Sequence, residues 1–261
     1  MKLTKLLLTV SALFIGLAGR AQDKEVGIFL GTTLYQGDLS KDQITLSATK
    51  PGVGVLGRYY INPRLDIAAG LYLGWISGSD ANYTSDRARL ERNLSFQSVV
   101  VDLHGQIEYN ILPYISNSKH YRFAPYLFAG LSVFYFNPTD TFNGTSYALQ
   151  PLQTEGEAKY SLIQVAIPMG IGFKYSLGNF WNLGLELGLR KTFTDYLDDV
   201  SNKYPSSPDK SSLSYDLGFK SGRYNNSLEG GKRGNPNRDD TYIFAGFTLT
   251  KTLRRFSCKG I

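Results

Sequence analysis

Asp102, His104 and Glu108 occupy alternate positions of one segment, residues 98–111, with Gln106 between them. A histidine beside carboxylates can act as a general base held by an acid. Hydrolytic or acyl-transfer chemistry would follow if a serine nucleophile lay within reach. No local motif marks such a serine. The same residues fit a packed polar interior in which Arg58, Lys174 and Arg190 neutralise Asp102, Glu108 and Glu186, because buried charges need partners. That interior is the preferred reading, and no catalytic residue, cofactor or metal is expected. Asp195, Asp198 and Asp199 could gather Ca²⁺, but their spacing is not that of an EF-hand loop. They are expected to form a solvated loop stem.

The elements that carry these residues share one pattern. In residues 98–111, Val99, Val101, Leu103, Ile107, Tyr109 and Ile111 alternate with Ser98, Val100, Asp102, His104, Gln106, Glu108 and Asn110. A period of two means a strand with unlike faces. Similar segments begin near Glu25, Val53, Leu65, Arg122, Ser161, Trp181 and Thr241, which makes eight. Pro168 lies inside the sixth and cannot donate a ladder hydrogen bond, so a local weak point is expected there. Residues 62–64 and 177–180 are tight connections, and 112–121 is intermediate. Residues 36–51, 78–93, 138–160 and 194–240 are longer, the last expected to be extracellular and flexible. Short turns at one end and long loops at the other predict an eight-stranded antiparallel transmembrane up-and-down β-barrel.

Composition agrees with export. Residues 1–21 have basic Lys2 and Lys5, a short apolar run and small residues near Ala21, the layout of a signal peptide. The barrel domain is then 22–261. Without Lys2, Lys5 and Arg20 the formal charge of +6 falls to +3. No basic stretch has the aromatic interleaving of a nucleic-acid surface, so no nucleic-acid partner is expected. The single cysteine, Cys258, excludes an internal disulfide. Asn82-Tyr83-Thr84 is a glycosylation sequon by pattern only.

Periodicity alone does not say which face points outward, and a soluble ligand-binding barrel would hide its apolar face. Three features favour membrane lipid outside. The polar face carries both signs of charge: Glu25, Arg58, Asp66, Asp102, Glu108, Lys174, Glu186 and Arg190. Aromatic residues Trp75, Tyr109, Tyr135, Tyr175, Trp181 and Phe193 crowd the ends of the apolar faces, as at headgroup level. The long loops lie on one side only.

Several stretches also resemble a known family. They are Tyr35-Gln36-Gly37-Asp38-Leu39, Arg58-Tyr59-Tyr60-Ile61-Asn62-Pro63-Arg64, Asn93-Leu94-Ser95-Phe96, Pro125-Tyr126-Leu127-Phe128-Ala129-Gly130 and Leu152-Gln153-Thr154-Glu155-Gly156. Trp181-Asn182-Leu183-Gly184-Leu185-Glu186, Arg190-Lys191-Thr192-Phe193-Thr194-Asp195-Tyr196-Leu197-Asp198-Asp199 and Arg233-Gly234-Asn235-Pro236 follow in order. Together they resemble the PorG-type outer-membrane component of the type IX secretion system of Bacteroidota. The resemblance implies a non-enzymatic outer-membrane barrel with periplasmic termini that anchors periplasmic ring proteins. It supplies no catalytic residues. The alternative is a small barrel enzyme or ligand binder. The expected partner contacts are Tyr114, Ile115, Lys119 and Tyr121 of the intermediate link, with Arg254 and Arg255 of the tail.

Overall fold

The structure is a computed structural model that describes residues 24–40, 49–82, 86–206, 209, 211–220 and 230–253. The signal-peptide assignment (1–21), Tyr83 and Thr84 of the sequon, Arg254, Arg255 and Cys258 lie outside the described residues.

Nine strands form: β1 (Lys24–Gln36), β2 (Lys50–Asn62), β3 (Leu65–Ser79), β4 (Ser95–Asn110), β5 (Phe123–Phe142), β6 (Thr145–Ala148), β7 (Ile163–Gly178), β8 (Trp181–Thr192) and β9 (Thr241–Leu253). All but β6 join one antiparallel ring. β1 pairs with both β2 and β9, and β4 pairs with β5, which closes the sheet. The result is the eight-stranded barrel that the alternation predicts. Closure leaves no open sheet edge in the wall, the condition for a spanning β structure.

β6 is the element that periodicity missed. β5 runs five residues beyond Asn137 and turns back through Asn143 and Gly144, both at positive φ. β6 then pairs with the extension of β5 above the barrel wall. The turn at the other end between β7 and β8 uses Asn179 and Phe180, also at positive φ. That conformation matches the twist of a two-residue hairpin. The β5–β7 ladder lapses between the pairs Ala129↔Met169 and Ser132↔Ala166, so Ile167 and Pro168 lie in the gap. That is the weak point that a missing N–H predicts.

The faces sort as the sequence implies. Ile107, Ile171 and Leu185 point outward and are exposed, as are Leu103, Leu131 and Phe247. Trp75, Tyr109, Tyr135, Tyr175, Trp181 and Phe193 stand among them, also exposed. A water-soluble protein does not leave so continuous an apolar belt uncovered. With a charged interior and an apolar exterior, this wall is built for lipid. No helix among the described residues is long and apolar enough to cross a membrane.

Inside, the barrel has two halves. The half near the long loops holds an aromatic core of Phe29, Tyr72, Phe96, Phe134, Phe136 and Phe244. The half near the short turns holds the cluster of Glu25, Arg58, Asp66, Glu108 and Lys174.

Candidate functional site

Arg58 on β2 donates from Nε to Glu108 Oε2 at 2.9 Å, and its Nη1 lies 3.6 Å from Glu25 Oε2. Lys174 on β7 bridges Glu108 Oε2, at 2.6 Å, and Asp66. It also donates to Asn110 Oδ1 at 3.1 Å, while Asn110 Nδ2 donates to Asp66 Oδ1 at 3.0 Å. The ammonium sits 4.5 Å from the ring centroid of Tyr126. Gln106 Nε2 adds a hydrogen bond to Glu108 Oε1 at 2.9 Å. Glu25 accepts from Asn182 Nδ2 at 2.8 Å and Thr250 Oγ1 at 2.9 Å. Each carboxylate here has both a cation and neutral donors. That combination is what repays the desolvation of a buried ion pair.

Deeper in, His104 Nδ1 and Asp102 Oδ1 are 2.7 Å apart, and Tyr242 donates to Asp102 Oδ2 at 2.6 Å. Arg190 Nε is 3.9 Å from Asp102 Oδ2, and Arg190 Nη1 donates to the Gly188 carbonyl at 2.8 Å. The guanidinium stacks over Phe244, 4.9 Å to the centroid. Glu186 departs from the expected scheme: it has no cationic partner among the described residues and instead accepts from the hydroxyls of Tyr126, at 3.2 Å, and Tyr72, at 3.5 Å.

The lumen geometry bears on the enzymatic alternative. His104 is only 4 % exposed, packed edge-on to Tyr72. Ser132 lies opposite it on β5, but its hydroxyl is buried without a hydrogen-bond partner. A working triad needs serine and histidine in hydrogen-bond reach and a path for substrate. Among the described residues no cluster of His, Cys, Asp or Glu could hold a metal.

Both mouths are closed. At the turn end the 112–121 link folds inward. Tyr114 donates to Asn182 Oδ1 at 2.7 Å, and Ser116 donates to the same oxygen at 2.9 Å. Tyr114 is therefore 2 % exposed, and its expected role as a partner contact is corrected: the phenol caps the charged lumen. Ile115, Lys119 and Tyr121 of the same link are exposed. The physical reason is polar. Asn182 would otherwise face the mouth with an unpaired carbonyl, and a tyrosine brings both a hydroxyl and a large apolar ring.

At the loop end Asp195, Asp198 and Asp199 do not form the expected solvated loop stem. Leu197 and Val200 are buried in the aromatic core, and Asp195, Asp198, Asp199 and Asp240 are buried with them. Arg233 reaches in to Glu155 at 3.0 Å, and Thr154 and Tyr160 donate to Asp199. Asp198 Oδ1 caps the Val200 amide, and Asp240 Oδ2 caps that of Leu197. Tyr35 has one hydroxyl proton and two carboxylate neighbours, Asp198 Oδ2 at 2.5 Å and Asp240 Oδ1 at 3.1 Å. Satisfying both contacts requires a second proton, held on a carboxylate. Burial accordingly pushes Asp198 up to about 7 and Asp195 up to about 9, and raises Asp240 well above its usual range. Gly37 is needed for this packing, since a methyl there would overlap Asp240 Oδ1 and the Tyr35 hydroxyl.

Sequence reasoning found the charges of the lumen and set Asn110 on the same face, but gave no part in the network to Asn110, Tyr60, Tyr72, Tyr126 or Asn182. Their inward parity was the available signal.

A closed eight-stranded barrel with a lipid-facing exterior, a charge-filled lumen and capped mouths defines a small barrel of the outer-membrane type. The chain belongs to the family described as Domain of unknown function (DUF6089), whose model matches residues 4–260. No curated protein matches it. Similar solved structures include Ail, the attachment invasion locus protein of Yersinia pestis, at 7 % identity and a TM-score of 0.44, covering 90 % of this chain and 100 % of that one. Neisserial surface protein A is similar at 9 % identity and a TM-score of 0.43, with 90 % and 98 % covered. OprG of Pseudomonas aeruginosa is similar at 11 % identity and a TM-score of 0.40, again with 90 % and 98 % covered. The architecture described here rests on the chain's own strand pairing.

Proposed function

We propose that this chain is a non-enzymatic outer-membrane component of the type IX protein secretion machinery, anchoring periplasmic ring proteins to the membrane. The observation that carries the reading is the sealed lumen. Ion pairs fill one half, aromatic rings fill the other, and folded segments cap both ends. Eight strands enclose only enough space for side chains. Such a barrel contributes to export by contact, not by conduction. The resemblance of its ordered motifs to PorG-type components supports the particular machinery.

On this reading residues 1–21 are a signal peptide, and an even strand number then turns both termini and the short turns to the periplasm. The exposed surface there includes Ile115, Lys119 and Tyr121, flanked by exposed Leu112 and Leu177. Apolar and aromatic residues beside a cation suit a protein interface. Arg254 and Arg255, which follow β9 in the sequence, belong to the same proposed contact. The test is co-purification from detergent-solubilised outer membrane. Wild-type protein brings down periplasmic ring proteins. Ile115→Asp with Tyr121→Ser keeps the heat-modifiable folded band, releases those proteins and stops cargo secretion. Unchanged co-purification and secretion would refute this docking surface.

A further inference from the structure

We propose that an apolar groove on the outer wall, with Lys24 and Lys251 at its turn end, binds one anionic glycerophospholipid. The groove holds about 780 Å³ and is walled by Val26, Ile28, Val55, Leu71, Leu103 and Trp181. Its floor is low because Gly57 and Ala69, paired across β2 and β3, carry at most a methyl between larger neighbours. An acyl chain fits such a trough with more contact than it finds on a smooth belt, since dispersion is gained only where atoms meet on both sides.

The headgroup end is set by charge. Lys251 lines the groove, and its ammonium lies 5.3 Å from the ring centroid of Trp181. Lys24 lies 5.9 Å from the ring centroid of Tyr59. The register pairs Lys24 with Leu253 and Val26 with Lys251, so the two lysines are diagonal neighbours on the outward face. Diagonal positions are about 7–8 Å apart, a gap that two long side chains can close around one phosphate. Neither lysine has a carboxylate partner among the described residues. At the other end the outward Lys191 pairs with Asp239 at 2.8 Å. Arg64 and Arg122 add to the same cationic rim, the first on the Ile111 carbonyl and the second over the Tyr175 ring. Unpaired cations beside aromatic rings at one end of an apolar trough complement a lipid that is negative at its head. The choice of a glycerophospholipid over a lipopolysaccharide rests on the functional reading above, which turns this end to the periplasm.

Native mass spectrometry of the full-length protein, with equal phosphatidylglycerol and phosphatidylcholine supplied in detergent, tests the proposal. Wild-type protein retains phosphatidylglycerol in preference. Lys24→Ser with Lys251→Ser lowers that preference about thirtyfold, as two lost surface cations imply. Ala69→Leu, which fills the trough, lowers retention of both lipids and leaves the preference intact. Equal retention of the two lipids by wild type, or an unchanged preference in the double variant, overturns the site. Purified lipid A held in place of phosphatidylglycerol, with the same lysine dependence, overturns the glycerophospholipid assignment. The heat-modifiable band reports folding of each variant. The assay contains no partner protein, so its failure leaves docking at 115–121 standing, and failed docking leaves the lipid result standing.

Discussion

The two halves of the molecule bury their carboxylates differently. In the turn half, Glu25, Asp66 and Glu108 share Arg58 and Lys174, and neutral donors complete their coordination. In the loop half, Asp195, Asp198 and Asp240 lie under the folded 194–240 segment, and the oxygens of Asp198 and Asp240 are met by amides and the Tyr35 hydroxyl. Burial without a close cation favours the protonated form of a carboxylate. One half is therefore held by ion pairs inside the membrane span. The other adds proton-holding carboxylates beside its own pairs, Arg233 with Glu155 and Arg92 with Asp80. The first should fail when a cation is removed; the second should respond to pH.

The largest expected effect comes from breaking the paired half. Arg58→Met leaves Glu25 without its cation and Glu108 with Lys174 alone. The cost should be about 3–5 kcal/mol, the usual result of stranding a buried charge. Urea unfolding in vesicles, followed by the heat-modifiable band, measures it. An effect under a third of that would mean that water reaches the pair.

Next in size is the wall that separates this half from lipid. Leu185 stands outward between Phe173 and Phe247. Leu185→Arg should cost roughly 2–4 kcal/mol near the bilayer midplane. Cysteine labelling sharpens the result: Leu185→Cys should resist a membrane-impermeant reagent. Ready labelling from water would reverse the lipid-facing assignment.

The proton-held half predicts a pH response. The folded-state pKa values of Asp195 and Asp198 are raised above the usual carboxylate value, so their contribution is fully present below about pH 4. It is lost as pH rises through about 7 for Asp198 and about 9 for Asp195. Asp38, Glu155, Arg92 and Arg233 face the same cluster and set the background. Limited proteolysis of the 194–240 segment should accelerate between pH 6 and pH 9. Asp198→Asn should flatten the profile, while unfolding of the barrel stays unchanged over that range. A pH-independent cleavage rate would remove the contrast between the halves.

The smallest effect on stability belongs to the exposed link. Ile115→Ser should change unfolding by no more than about 0.5 kcal/mol, as surface substitutions do. Tyr114→Ala, at the preceding residue, should cost more, because it removes a buried ring and one of the two donors to Asn182 Oδ1.

What the sequence made legible follows from what is local. Alternation fixed the strands and faces because each residue's side is set by its neighbours two positions away; Leu185, Ile107 and Ile171 needed nothing else. Pro168 marked its own ladder gap. Asp102 and His104 are two residues apart, so their pairing was visible. Lys174 meets Asp66 across 108 positions, a contact that exists only after the ring closes in register. Tyr114 and Leu197 sit in polar, aperiodic segments, and no pattern shows that such a segment will fold back over a mouth. The assignment of Glu186 to a cation failed for the same reason: two tyrosines from β3 and β5 reach it first.

The claim that the turn end makes the functional contact is tested most directly by photo-crosslinking in living cells. A photoreactive phenylalanine analogue would replace Tyr121 at the turn end or, as the paired control, Glu157 at the loop end. Both positions are exposed. The account predicts a covalent adduct with a periplasmic ring protein from position 121 and none from position 157. Adducts from 157 alone, or none from 121 while the protein is folded and secretion is active, would contradict it.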